Sequence, residues 1–199
     1  MRERRSGTIA NFGSIAGWAS FPLCGIYCAT KAAIGMYTES LRQEVASFGI
    51  KVTCIERKSR QKKKKKKKKN SIKINHYNFL IIAAANSGSR TAGYFRTSFL
   101  SQGSKKTTEK RIPELQEATK PMREGIAAAE GNQIGDPVKG AHLLVEALTG
   151  TGKCAGKELP PRLPLGSDAL AAIGSVLEAE KKTLDSWTDF AKSSDYNAA

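Results

Sequence analysis

Two short apolar runs flanking one amphipathic stretch constrain this chain more than anything else in it. Residues 8–12 (Thr-Ile-Ala-Asn-Phe) lead into Gly13, the pattern of a short buried strand. Over residues 27–48, Ile34, Tyr37, Leu41, Val45 and Phe48 recur at steps of three and four, which predicts a helix with those side chains on one face. Gly49 follows, a residue suited to the left-handed C-cap that stops a helix. Residues 51–55 (Lys-Val-Thr-Cys-Ile) are the next strand. A strand, a helix and a strand at this spacing form a parallel crossover unit, so the predicted class is α/β with a parallel sheet.

Further along, Asp136 before Pro137 predicts a helix N-cap and a helix over 136–148. Residues 162–165 (Arg-Leu-Pro-Leu) read as an extended segment. A last helix is expected over 167–191, with Leu170, Ile173, Leu177, Leu184 and Trp187 as its apolar stripe. Between the two parts the character of the chain changes. The formal net charge is +15, a value that ordinarily points to nucleic acid or membrane surfaces. Yet 13 of the basic residues, and no acidic ones, fall in 57–90, and the rest of the chain carries only +2. Residues 62–69 are eight consecutive lysines, whose mutual repulsion predicts disorder. The expected organisation is therefore 1–56, a Lys-rich insertion over 57–92, and 93–199.

Four cysteines (Cys24, Cys28, Cys54, Cys154) lack zinc-site spacing, and there are only two histidines, His76 and His142; no metal site is expected. The charged start Met1-Arg2-Glu3-Arg4-Arg5 is not followed by an apolar core, and the apolar run at 79–85 is too short to span a bilayer. The expectation is a cytoplasmic protein with no membrane partner.

Ser14 lies just past the first strand, and Tyr27 opens the helix 13 residues later. Lys31 follows Tyr27 by four, so both side chains share a helical face. This pattern suits proton transfer to a carbonyl oxygen. A free tyrosine, with a pKa of about 10, is a sluggish acid/base near neutrality. A neighbouring ammonium favours the phenolate, by roughly 1–3 units in such settings. Ser14 can hydrogen-bond the same substrate oxygen and orient it.

The surrounding residues resemble the short-chain dehydrogenase/reductase family. The likeness is carried by Gly7-Thr-Ile-Ala-Asn-Phe-Gly-Ser-Ile-Ala-Gly17, by Tyr27-Cys-Ala-Thr-Lys-Ala-Ala33, by Glu39-Ser-Leu-Arg-Gln-Glu44 and by Gly49-Ile-Lys-Val-Thr53. It implies Tyr27 as catalytic acid/base, Lys31 as its partner and ribose anchor, and Ser14 as the group that orients substrate. Gly13 stands where the family often has a second serine. Gly93-Tyr-Phe-Arg-Thr97 resembles the family's Pro-Gly-x-x-x-Thr loop, with Ala92 in place of the proline. That likeness implies that Gly93 and Thr97 contact the cofactor, NADP or NAD. Asp136-Pro-Val-Lys139 and Leu163-Pro-Leu-Gly-Ser-Asp168 resemble late segments of fungal-type members. The resemblance covers about 2–56 and 93–190, and implies the C-terminal part of a Rossmann-type doubly wound sheet, incomplete because the Gly-rich turn and the first four strands lie upstream of Met1. On that expectation the strand at 8–12 is left with an unpaired, aggregation-prone edge, and the fragment is inactive alone. It also implies a small carbonyl or alcohol substrate and a homo-oligomer in the complete protein. Trp18, Phe21, Pro22 and Leu23 fall where relatives line the substrate pocket, pointing to an apolar substrate.

The 36 residues from Arg57 to Ala92 interrupt this likeness. Arg57-Lys58-Ser59 can be encoded with GTAAGT, an intron start, and Thr91-Ala92 with an AG intron end. Excision would join the flanking bases into one proline codon and give Glu-Pro-Gly-Tyr-Phe-Arg-Thr. A retained intron or gene-model error is the leading reading of this segment. Two other functions are distinguishable: a non-enzymatic remnant that binds a family partner through the helix at 27–48, and a polyanion-binding or nuclear-localising protein acting through residues 62–69. Specific nucleic-acid binding is not expected, because any such lysine tract binds polyanions at low salt.

Overall fold

A computed structural model describes residues 1–56, 79–80, 112–129, 132 and 134–196. Gly93, Thr97 and the lysine tract at 62–69 lie outside them. Strand β1 (Gly7–Phe12) leads through a short 3₁₀ turn (Ile15–Gly17) to helix α1 (Gly25–Glu44). A second 3₁₀ turn (Ala46–Phe48) ends at Gly49, whose φ of +65° puts it in the left-handed region. Strand β2 (Ile50–Glu56) follows, then the two-residue strand β3 (Phe79–Leu80) and helices α2 (Glu114–Ala128) and α3 (Pro137–Thr149). Strand β4 (Arg162–Pro164) and helix α4 (Ser167–Lys192) complete the described chain. The strands form one sheet in the order β3-β1-β2-β4, with every pairing parallel. The α/β class with a Rossmann-like parallel sheet is thus observed.

Strand β2 is the spine. It is buried on both faces except at Lys51, as expected of a strand with a neighbour on either side. Its alternation sorts two layers. Ile55 joins Ala10, Leu148 and Leu159 in one apolar cluster, with Phe12, Leu144, Ala147, Leu163 and Leu165 packed around it, so α3 covers that face. Helix α1 covers the other. There Asn11 Nδ2 donates to Thr38 Oγ1 at 3.0 Å, satisfying a polar group that the sheet buries. Arg42 fastens the same layer, donating to the carbonyls of Val52 and Leu159 at 3.0 and 2.9 Å and to Glu158 at 2.7 Å. Asp136 caps α3 through the backbone N–H groups of Val138 and Lys139, and those hydrogen bonds hold its carboxyl below the usual range.

Three expectations are corrected. The strand at 8–12 is not left bare: Thr8 and Ile9 pair with Phe79 and Leu80, inside the segment read as an insertion. Helix α1 buries its apolar face only in part: Ile34, Leu41, Val45 and Phe48 are half-buried and Tyr37 is exposed, while the fully buried positions are Tyr27, Cys28, Gly35 and Thr38. Small and polar residues win because α1 must approach the sheet closely and because Asn11 and Arg162 need room beneath it. In α4 only Ala169 and Ile173 are buried, while Leu170, Leu177, Leu184 and Trp187 are exposed. Helix α2, with Pro121 inside it, has no counterpart in the sequence reading. No helix among the described residues is long and apolar enough to cross a membrane.

Candidate active site

The three sequence-derived residues converge where β1 ends and α1 begins. Ser14 is almost fully buried with extended backbone, and its Oγ accepts from the backbone N–H of Ala16 at 3.2 Å, capping the 3₁₀ turn. Ala16 packs directly against Tyr27 and Cys28, with Phe21 and Cys24 beside them, so the turn that starts at Ser14 is seated on Tyr27. The close approach of turn and helix depends on Gly17. A Cβ there would lie 2.9 Å from the Lys31 carbonyl oxygen.

Tyr27 is buried, and its phenolic oxygen has no hydrogen-bond partner among the described residues. An unpaired buried hydroxyl costs about 1–3 kcal/mol, so a ligand oxygen at this point would satisfy it. Lys31 lies one turn further along α1. Its Nζ donates to the Phe12 carbonyl at 2.9 Å and stands 5.7 Å from the centre of the Tyr27 ring. Burial lowers the Lys31 pKa, partly offset by Cys54 and Glu56. The helix therefore positions an ammonium beside the phenol ring, and the end of β1 holds that ammonium by its backbone.

Sequence reasoning missed the group beneath these residues. Glu56, the last residue of β2, is fully buried; no described residue makes a well-aligned hydrogen bond to its carboxylate, but the Cys54 thiol, the Ser14 backbone N–H and the Trp18 indole N–H face it and favour its charged form. Arg162 Nη1 stands 3.8 Å from its Oε1. Burial pushes the Glu56 carboxyl up, against the opposing influence of Cys54, Arg162, Ser14 and Trp18. The neighbouring Cys54 thiol is pushed up to about 12, first by burial and then by Glu56, and stays protonated at neutral pH. At position 13, where the family resemblance implies a serine, a Cβ on the glycine would sit 2.5 Å from Glu56 Oε2 and 2.6 Å from Cys54 Sγ, so a serine there requires those two side chains to shift.

The raised Glu56 pKa has a signed consequence. Between the unfolded value of about 4.3 and the raised folded value, the native state binds more protons than the unfolded chain. Stability contributed by Glu56 is present below the unfolded pKa and falls as pH rises through the folded one. Lys31, Cys54 and Arg162 face the carboxyl and set where that fall ends. Denaturant unfolding of Glu56→Gln and of the parent across this range should show the variant gaining relative stability with rising pH; a pH-independent difference would contradict the shift.

Of the residues between Ser14 and Tyr27, Trp18 is half-buried and has one ring face covered. The Arg162 guanidinium carbon lies over its ring, 4.5 Å from the centre. Phe21 packs into the Tyr27 cluster, while Leu23 is exposed at a φ of +67°. The four cysteines are free thiols.

Comparison with known proteins agrees with this architecture. Residues 1–68 match the family model described as short chain dehydrogenase. The chain is 25% identical over 195 residues to an oxidoreductase of Botryotinia fuckeliana, covering 98% of this chain and 55% of that protein. It is 46% identical over 52 residues to an uncharacterized oxidoreductase of Staphylococcus saprophyticus, covering 26% of this chain and 21% of that one. Among solved structures, a short-chain dehydrogenase from Streptomyces avermitilis superposes with a TM-score of 0.64 at 27% identity, over 98% of this chain and 55% of that one. The chain thus spans about half the length of the fungal relative and of the bacterial structure, and less of the other. Fold, family model and relatives are alike in their similarity to short-chain dehydrogenases, and the likeness to the fungal oxidoreductase runs along nearly the whole chain.

Proposed function

We propose that this chain carries the catalytic segment of an NAD(P)-dependent short-chain dehydrogenase/reductase that interconverts a carbonyl and an alcohol. The observation that carries the reading is the buried, unpartnered phenol of Tyr27 beside the half-buried Lys31 ammonium. A carbonyl oxygen placed at the phenol would remove an unsatisfied polar group and receive its proton. The Lys31 ammonium stands beside the ring from which that proton leaves, and the Phe12 carbonyl keeps the ammonium at the site. Ser14, at the rigid start of a capped turn, orients the same substrate oxygen. A nicotinamide cofactor supplies the hydride. Tyr27 and Lys31 would hold its ribose, with Gly93 and Thr97 contributing by family resemblance. Homo-oligomerisation and a cytoplasmic location remain part of the same proposal.

The assay is consumption of NADH and of NADPH with a panel of apolar aldehydes and ketones. It is run on this chain and on the chain joined to any coding sequence that precedes it. Turnover is expected only in the joined form; absence of turnover in both would overturn the reading.

The retained-intron reading of residues 57–92 belongs to the same proposal. Sequencing the mature transcript across Glu56 and Gly93 should give Glu-Pro-Gly, with the intervening codons gone. An uninterrupted message encoding all 36 residues would refute it, and would give weight to the polyanion-binding alternative for the lysines at 62–69.

A further inference from the structure

Arg162 touches three separate elements. Its Nε donates to Glu39 on α1, its Nη1 faces Glu56 at the end of β2 at 3.8 Å, and its guanidinium plane covers Trp18 in the turn after β1. The packing is made for it. A Cβ on Gly35 would stand 2.8 Å from Arg162 Nη2, so α1 carries a glycine where the guanidinium passes beneath. Gly13 does the same for the Glu56 carboxyl. Trp18 closes the 3₁₀ turn that Ser14 opens; whatever fixes Trp18 therefore fixes Ser14. The Trp18 indole N–H is buried and faces the Glu56 carboxylate, as does the backbone N–H of Ser14, and both favour its charged form.

We propose that Arg162 and Glu56 form a latch that holds the Ser14–Trp18 turn against the Tyr27–Lys31 helix, making both of them positioning residues for the catalytic site. Arginine suits the role because its planar fork can bind two carboxylates and stack on an aromatic ring at once. A lysine at 162 would keep the charge and lose both the stack and the fork. The latch reaches the site from β4, a strand distant in sequence. It thereby couples the C-terminal segment to the geometry of residues near the N-terminus. The catalytic consequence rests on the oxidoreductase reading; the latch itself does not.

The test uses the full chain with Trp187→Phe, which leaves Trp18 as its single tryptophan. Arg162→Lys should shift Trp18 emission to the red and raise its acrylamide quenching severalfold, with the helical circular dichroism retained. Glu56→Gln, which removes the carboxylate charge, should move both in the same direction by less. Unchanged Trp18 emission and quenching in a folded Arg162→Lys protein would overturn the latch. Global loss of helix on that substitution would overturn it too, since Arg162 would then be a general stability residue. In a form that turns over, Arg162→Lys should lower kcat while leaving the KM for cofactor unchanged. Parental kcat with a loosened Trp18 would overturn the positioning role and leave the oxidoreductase reading standing. If the parent shows no turnover in any form, that reading fails, and the Trp18 signals still decide the latch.

Discussion

Tyr27→Phe should lower kcat for carbonyl reduction by about 10²–10⁴-fold, the usual worth of a positioned acid/base, while leaving the fold as stable as before or slightly more so. The two halves of that expectation come from one observation. The phenolic oxygen of Tyr27 is buried and makes no hydrogen bond with any described residue. Deleting it removes no internal interaction and relieves an unsatisfied polar group. The phenyl ring that remains still fills the space between Ala16, Cys28, Phe21 and Cys24. A hydroxyl kept at a cost to folding is one whose partner arrives from outside. Steady-state kinetics and a thermal melt on the joined form with and without the substitution check both halves; equal, measurable turnover in the two would remove Tyr27 from the chemistry.

The second large effect is on folding. Ile55→Ala should destabilise the chain by about 2–5 kcal/mol, the range for truncating a buried isoleucine to alanine. Ile55 has no exposed surface and stands at the centre of the cluster with Ala10, Leu148 and Leu159. Its neighbours come from β1, α3 and the segment before β4, which restricts how far the site can collapse around the lost methylenes. The damage would also reach the active site, because the next residue is Glu56. Denaturant titration followed by circular dichroism gives the value. A loss under about 1 kcal/mol would show that this cluster does not hold the sheet together.

The parallel crossover was legible because β1, α1 and β2 are specified by local patterning. Alternating and continuous apolar runs mark strands buried on both sides, and Gly49 marks the end of the helical segment. The spacing of Tyr27 and Lys31 was legible for the same reason, since a helical period of four residues is a local property. The face of α1 was not. Apolar periodicity pointed to Tyr37, whereas the buried side is built on Gly35 and Thr38, which accommodate Arg162 and Asn11. Those demands come from residues 27 and more positions away in sequence, and no window of the helix contains them. Glu56 and Arg162 escaped for a related reason. Each looks like an ordinary charged residue until β2 and β4 pair and bury the carboxylate. The one available sign was Gly13, which leaves room for the Glu56 carboxyl and the Cys54 thiol.

The central claim is that Tyr27 and Lys31 serve hydride chemistry on a carbonyl. Its most direct test uses nicotinamide cofactor deuterated on the transferred hydrogen, with the alcohol product read by mass spectrometry. The account predicts one deuterium on the carbinol carbon from the chain joined to any coding sequence that precedes it, and that product all but lost when the joined form carries Tyr27→Phe. Alcohol formed without the label, or labelled alcohol formed at the parental rate by the phenylalanine variant, would contradict it.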